Sequence, residues 1–349
     1  MTFFVKNVTL SKKIRRMNFS FVIPVYNRPD EIDELLESLM KQTYNKPFEV
    51  IIVEDGSTVP CEHIVDKYRS KLNLTYYLKY NSGPGDSRNF GMQYAKGDYY
   101  IILDSDCILP SQYLSEVEKS LTEKYVDCFG GPDDMLASFT PIQKAINFAM
   151  TSVLTTGGVR GASEKIGKFQ PRSFNMGISS KAFEASKGFS NIHPGEDPDL
   201  SIRLWKMGFE TKLIPNAFVY HKRRIDWEKF YVQVNKFGKV RPILNKWYPE
   251  YAKPTFFLPS LFVLGFFLGI LLSFLFLFDW LLKLYFLYTI VIMLVSTYKN
   301  KNIKVGVYSI IAVWRQFFGY GMGFIESYYK INILKKSPEE AFPELFFKV

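Results

Sequence analysis

The chain has 349 residues, a formal net charge of +10, and 47% hydrophobic and 17% aromatic residues. That length buries a core of ordinary size without staples. Three cysteines (Cys61, Cys107 and Cys128), none in a C-x-x-C pair, speak against a disulfide scaffold or zinc knuckle and point to a reducing compartment. The basic balance suits nucleic acid, anionic lipid or a polyanionic small molecule, so the position of the charge decides.

Residues 1–18 are read as a basic extension. Its apolar patch at Phe3, Phe4 and Val5 ahead of KKIRR is too short for the core of a signal peptide, and the basic cluster suits anionic lipid. From residue 19, strand and helix signals alternate. FSFVIPV (19–25) predicts a buried strand, DEIDELLESLMKQ (30–42) an amphipathic helix and FEVIIVEDGS (48–57) a strand with its turn. A helix near 62–71, a strand at 74–79, a helix at 86–95, a strand through DYYIILDSD (98–106), a helix at 111–122 and a strand at 126–130 follow. This βαβ series predicts an α/β domain with a mostly parallel sheet flanked by helices, in which ligands sit beyond the carboxyl ends of the strands. The conspicuous polar groups fall there: Tyr26 and Asn27, Glu54 and Asp55, Asp104 and Asp106.

Asp104 and Asp106 leave a strand two residues apart on one side, and two such carboxylates repel unless a proton or cation intervenes. Mg2+ or Mn2+ held by one or two carboxylates and completed by phosphate oxygens is how a hard ion meets a nucleotide; a D-x-D also caps helices and starts turns. Asp55 before Gly56-Ser57 either caps its turn or accepts a ring N–H. GPGDSRNFG (83–91) precedes a helix but lacks the lysine of a phosphate loop. Its Arg88 either meets phosphate or ribose oxygens or ties the helix to Asp86 or Asp104. GED (195–197) opens the helix PDLSIRLWKMG, where the dipole keeps Glu196 and Asp197 ionised. For His63 and His193 the sequence suggests no partner.

PVYN, VEDGS, SGPGDSRNFG, DSD and GED, in this order and spacing, resemble family 2 glycosyltransferases of the GT-A fold over roughly residues 19–240. The hydrophobic tail resembles the membrane-attached members that build cell-surface polysaccharides. The resemblance implies that Pro24 and Tyr26 hold base and ribose, that Asp55 accepts the uracil N3 proton, and that Arg88 and Asp104 face the nucleotide. It further implies that Asp104, Asp106 and His221 approach a divalent metal, Mg2+ or Mn2+. Asp197 matches the aspartate that deprotonates the acceptor hydroxyl, with Glu196 orienting acceptor or base. His221 is otherwise a solvent-facing histidine, and Lys222, Arg223 and Arg224 meet phosphate or the membrane surface. QVNKF (233–237) stands where processive members carry Q-x-x-R-W. Gln233, Lys236 and Phe237 therefore fall on the acceptor or diphosphate side, and the loss of a bidentate fork and a larger ring favours single addition. The basic stretch 157–177 is a lid, an acceptor loop or a plain surface loop.

Residues 241–254 read as a linker. Residues 255–278 carry no charge and make ~36 Å of helix, enough for a bilayer core. The run 280–298 holds one lysine, Lys283, near its start, so the two predict a transmembrane hairpin. Residues 305–325 are apolar but contain Arg315 and GYGMG, which fits a span, a re-entrant segment or an interfacial helix. The membrane region thus covers 255–326, and 327–349 is a tail. The basic YKNKNIK between the second and third apolar runs places itself and residues 1–254 on the cytoplasmic side.

The expectation is an inverting glycosyltransferase integral to the cytoplasmic membrane, its catalytic domain facing the cytoplasm. It moves a sugar from a nucleotide diphosphate sugar, a UDP-sugar by resemblance, to a lipid-linked or other saccharide acceptor. Membrane lipids are partners and nucleic acid is not, since the basic residues border the apolar runs. The rivals are a metal-dependent nucleotidyltransferase, whose glycine- and lysine-rich triphosphate loop is missing, and a non-catalytic membrane scaffold that retains the fold.

Overall fold

The structure, a computed structural model, describes residues 17–134, 139–156, 168–221 and 226–347. In chain order the front half runs β1 (Phe19–Val25), α1 (Pro29–Met40), β2 (Glu49–Asp55), α2 (Glu62–Val65), β3 (Asn73–Lys79), α3 (Pro84–Tyr94), β4 (Tyr99–Leu103), β5 (Cys107–Ile108), α4 (Tyr113–Glu123), β6 (Cys128–Gly130) and β7 (Asp133–Asp134). Then come α5 (Pro141–Thr151), α6 (Val153–Thr156), β8 (Asn175–Ser179), α7 (Ser180–Ser186), α8 (Glu196–Lys206), β9 (Thr211–Leu213) and β10 (Val219–His221).

Seven strands form one sheet in the order β3-β2-β1-β4-β8-β6-β9. β1 to β4 pair in parallel, and β8 runs antiparallel between β4 and β6. The strand residues alternate between two cores. Phe19, Phe21 and Ile23 meet Ile32, Leu35 and Leu36 of α1 and Leu114 and Val117 of α4. Val22, Ile102 and Met176 point the other way, toward Met92 of α3 and Leu200 and Leu204 of α8. Both faces being covered, β1, β2 and β4 read as near-continuous apolar runs. β1 has β2 on one side and β4 on the other, so chain connections diverge there and leave a crevice at the strand ends.

Two expected elements end early. The helix expected at 62–71 is α2 followed by a single 3-10 turn at Asp66–Tyr68. The strand expected to run through 106 stops at Leu103, because the Cys107 N–H donates to Asp104 O at 3.1 Å and closes DSD into a turn. A small second sheet, β5-β10-β7, lies beside it.

The back half is α9 (Trp227–Trp247), α10 (Leu258–Phe276), α11 (Trp280–Asn300), α12 (Ile303–Tyr328) and α13 (Pro338–Ala341). Asp226 caps α9 by accepting from Glu228 N at 2.7 Å and Lys229 N at 3.0 Å. The expected linker is corrected: residues 241–247 continue α9, and 3-10 turns at Pro249–Tyr251 and Pro254–Phe257 complete the passage to α10. Pro254–Phe276 and Trp280–Asn300 are long and apolar enough to cross a membrane, with only 17% and 11% of their most apolar windows buried. The third apolar run, α12, is a core helix that lies lengthwise on α9. A Cβ on Gly319 would stand 2.6 Å from Val234 Cγ2, and one on Gly323 2.3 Å from Asn235 O, so the glycines of GYGMG permit this approach. The tail is packed as well. Ile331, Phe342 and Leu345 share a core with Ile192, Val240 and Ile243, and residues 345 and 347 hydrogen-bond the backbone of residues 193 and 191.

Candidate active site

The crevice is built from three turns. At the end of β1, Asn27 adopts a left-handed φ of 54°. Its Oδ1 accepts from Thr58 N at 2.8 Å and Val59 N at 3.1 Å, and its own N–H donates to Ser57 Oγ at 2.7 Å. Glu54, fully buried, accepts from the Ser57 hydroxyl and from Cys61 N. The two strand ends are thus fastened together, and Tyr26 is left 52% exposed over the crevice. Pro24 stays within β1, in register with Val53.

Asp55 faces inward. One oxygen accepts from Lys79 Nζ at 2.9 Å and Ser82 N at 3.0 Å; the other accepts from Gly83 N at 3.0 Å and Asn81 Nδ2 at 3.3 Å. With its side chain 3% exposed, this carboxylate organises the turn after β3 at residues 80–83 and not its own Gly56-Ser57 turn. Lys79, which also pairs with Asp86 at 3.0 Å, carried no sequence signal beyond closing a strand.

Arg88 is the centre of the site. Its guanidinium donates to Asp104 Oδ1 at 2.8 Å and to Glu196 Oε1 at 3.3 Å, joining DSD to GED while remaining 4% exposed. It also lies 5.4 Å from the centre of the Phe189 ring. Burial works against its charge, but Asp104, Glu196 and Asp197 more than offset that and raise its pKa. The tie to Asp104 is therefore present, and Glu196 is a second tie the sequence did not suggest.

Gly195 precedes the carboxylates at φ +127° and caps α8; a Cβ there would lie 2.6 Å from Val240 Cγ1 of α9. His193 Nδ1 sits 2.8 Å from Glu196 Oε1. Burial resists ionisation of Glu196, but His193 and Arg88 prevail and hold its carboxyl well below the usual range. Asp197 is driven the other way. Burial and the adjacent Glu196 charge push it up, against weaker opposing pulls from Arg88 and Ser173. Its Oδ1 is buried with no hydrogen-bond partner among the described residues. The pKa values of two neighbouring carboxyls are thus pushed apart, Glu196 down and Asp197 up. The His193 partnership escaped the sequence reading; its place three residues before Glu196 was the available signal.

Asp106 follows in the DSD turn, and β10 sets His221 opposite Cys107 in antiparallel register, one residue from Asp106. The backbone therefore brings the three proposed metal residues to one corner. Among the described residues no group of three or more His, Cys, Asp or Glu would hold an ion unaided. The hard oxygen donors of Asp104 and Asp106 fit a divalent ion completed by a diphosphate.

Gln233, Lys236 and Phe237 fall on α9, half-buried, and Phe237 packs toward α5 and α12. No described contact links them to the carboxylates. α9 instead reaches the site through Val240. Lys222, Arg223, Arg224 and 157–167 lie outside the described residues. The three cysteines are free and buried, and burial raises each thiol, leaving them inert.

A mostly parallel sheet with the DSD turn and the Glu196–Asp197 pair at one switch point has the GT-A architecture. Residues 20–182 match the family model described as Glycosyl transferase family 2. Over 114 residues the chain is 41% identical to the poly(ribitol-phosphate) beta-N-acetylglucosaminyltransferase TarS of Staphylococcus aureus, covering 32% of this chain and 20% of that protein. Over 102 residues it is 39% identical to a poly(ribitol-phosphate) beta-glucosyltransferase of Bacillus spizizenii, covering 28% and 16%. The chain thus spans about a fifth or less of these relatives. Among solved structures, S. aureus TarS 1-349 in complex with UDP-GlcNAc aligns with a TM-score of 0.51 and 21% identity over 90% of this chain and 92% of that one. A mannosyltransferase from Pyrobaculum calidifontis in complex with GDP-Man and Mn2+ aligns at 0.52 and 17%, over 66% and 65%. At these identities the structures speak for the fold.

Proposed function

We propose that the chain is an inverting glycosyltransferase that takes a sugar from a UDP-sugar and places it on a membrane-held saccharide or polyol-phosphate acceptor during surface-polymer synthesis. The observation that carries this reading is Asp197: half-buried, raised in pKa, with one buried oxygen unpartnered, beside a carboxylate tied through Arg88 to the DSD turn. In the reaction the acceptor oxygen attacks the anomeric carbon, its proton passes to Asp197, and the bond to the diphosphate breaks with its electron pair. The anomeric configuration inverts because attack and departure take opposite faces. Asp104, Asp106 and His221 would hold a divalent ion, whose charge screens the departing diphosphate. Glu196, kept ionised by His193 and Arg88, holds the base in position. Tyr26 offers its exposed ring to the base and ribose.

The names of the relatives support a nucleotide-sugar donor and a phosphate-rich polymer as acceptor. The +10 charge of this chain suits a polyanionic acceptor. Attachment through the exposed apolar helices α10 and α11 puts the site at the membrane, and the basic α11–α12 turn favours the cytoplasmic side. The test is release of free nucleotide from a panel of nucleotide sugars with Mn2+, comparing the natural chain with Asp197→Asn. General-base help is worth about 10²- to 10⁴-fold, so turnover falls by at least that lower figure while UDP affinity stays near normal. Unchanged turnover would move the base elsewhere.

A further inference from the structure

The helices α10 and α11 have the length and composition of spans, but their packing constrains how a bilayer meets them. A spanning helix puts its middle at the bilayer centre, about 15 Å from either polar surface. The middle of α11 is Tyr288 to Ile292. Tyr288 OH donates to Leu154 O of α6 at 3.0 Å, and Ile292 packs in one cluster with Ala145, Ile146 and Ala149 of α5. Those elements carry the polar side chains of Gln143, Lys144 and Asn147 in α5 and of Ser152, Thr155 and Thr156 around α6.

The neighbouring helix repeats the constraint. α11 packs against α12, where Ser296 and Ser309 hydroxyls meet at 2.6 Å and Trp314 Nε1 donates to Thr289 Oγ1 at 3.1 Å. α12 in turn lies along the polar helix α9, with Arg315 donating to Trp227 O at 3.2 Å and Lys239 pairing with Glu326 at 3.5 Å. A bilayer perpendicular to α11 would have to engulf α5, α6 and part of α9, at several kcal/mol for every unpaired polar group.

The apolar surface is also extensive. α10 and α11 turn Leu264, Phe267, Phe274, Phe286, Leu287 and Leu294 outward, each at least 53% exposed. At the far end of this layer the α11–α12 turn forms a cleft of about 490 Å³ lined by Thr297, Tyr298, Lys299, Lys301, Asn302 and Ile303. Lys304 follows, and it and the other two lysines are exposed. An apolar face edged by lysines and a tyrosine complements a leaflet with acidic headgroups.

We propose that α10 and α11 lie in one leaflet of an anionic membrane, parallel to its surface, and do not cross it. This rests on the reading that the chain works at a membrane, and it sets the front domain flat against that surface. The tip at Phe274–Trp280 enters the same leaflet as the rest of α11.

The test uses the full chain on phosphatidylcholine vesicles with and without phosphatidylglycerol. Single cysteines at Asp279, Phe286, Leu294 and Tyr298, carrying a fluorescent label, are quenched by lipids brominated at shallow or deep acyl positions. The expected result is flotation favoured by phosphatidylglycerol, similar shallow quenching at all four sites, and no labelling of Asp279→Cys by an impermeant thiol reagent on intact cells. Deep quenching at Phe286→Cys and Leu294→Cys with outside labelling at Asp279→Cys would overturn the in-plane placement and leave membrane attachment standing. A soluble chain that fails to float, or a dimer in light scattering that hides this face, would overturn both. The triple change K299E, K301E and K304E is expected to weaken binding to the acidic vesicles about tenfold or more, with nucleotide-sugar hydrolysis unchanged. Undiminished binding would refute the role of the basic cleft.

Discussion

Replacing Glu196 by Gln tests the electrostatic split directly. Asp197 lies at about 6 in the folded chain, raised by burial and by the adjacent Glu196 charge. As the proposed base it works only when ionised, so kcat/KM is expected to fall as the pH drops below that value. Two like charges ~6 Å apart at an effective dielectric of ~20 interact by about 2–3 kcal/mol, an upper limit of roughly two pKa units. Burial remains in the variant, so the acid limb is expected to move down by about one unit, toward pH 5. Arg88, freed from Glu196, pulls in the same direction. The assay is nucleotide release across pH 4.5–8 under kcat/KM conditions, with the melting temperature followed in parallel to identify pH values at which the variant unfolds. The expected signature is a lower plateau, from the lost positioning group, combined with retained activity on the acid side. An acid limb that stays in place or moves upward, in a folded variant, would refute the claim that Glu196 tunes Asp197.

Further outcomes follow from the same geometry. Asp106→Ala is expected to abolish the Mn2+-dependent part of UDP affinity, read by calorimetry with and without the ion; unchanged affinity and stoichiometry would remove Asp106 from the metal site. Arg88→Met leaves Asp104 and Glu196 without their buried counter-charge and is expected to cost about 3–5 kcal/mol of stability, seen as a large fall in the urea midpoint; a midpoint within error of the natural chain would show the bridge to be dispensable. Phe342→Ala, at a ring 1% exposed in the cluster behind Ile192, is expected to lose about 3–5 kcal/mol and to lower turnover by loosening the His193–Glu196 loop; normal stability with normal turnover would refute a supporting role for the tail.

Much of this protein was legible in its sequence because the physics involved is local. The apolar runs of FSFVIPV and YYIIL, the amphipathic α1 and α4, and the turn residues after each strand fix a parallel sheet without reference to distant chain. The same holds for the position of DSD at a strand end and of GED at a helix start. The length and lack of charge of residues 255–278 mark an apolar helix long enough for a bilayer unaided. What tertiary structure decided were the pairings across long stretches of chain. Arg88 reaches Glu196 across 108 positions, and Asp55 is satisfied by a turn 27 residues on; no periodicity encodes either contact. Likewise GYGMG reads as a membrane segment until α9 is laid against it, because a glycine stripe serves equally in lipid and in a tight helix pair. The split between Glu196 and Asp197 belongs wholly to the folded state. In the unfolded chain both carboxyls are solvated alike, and only burial, His193 and Arg88 push their pKa values apart.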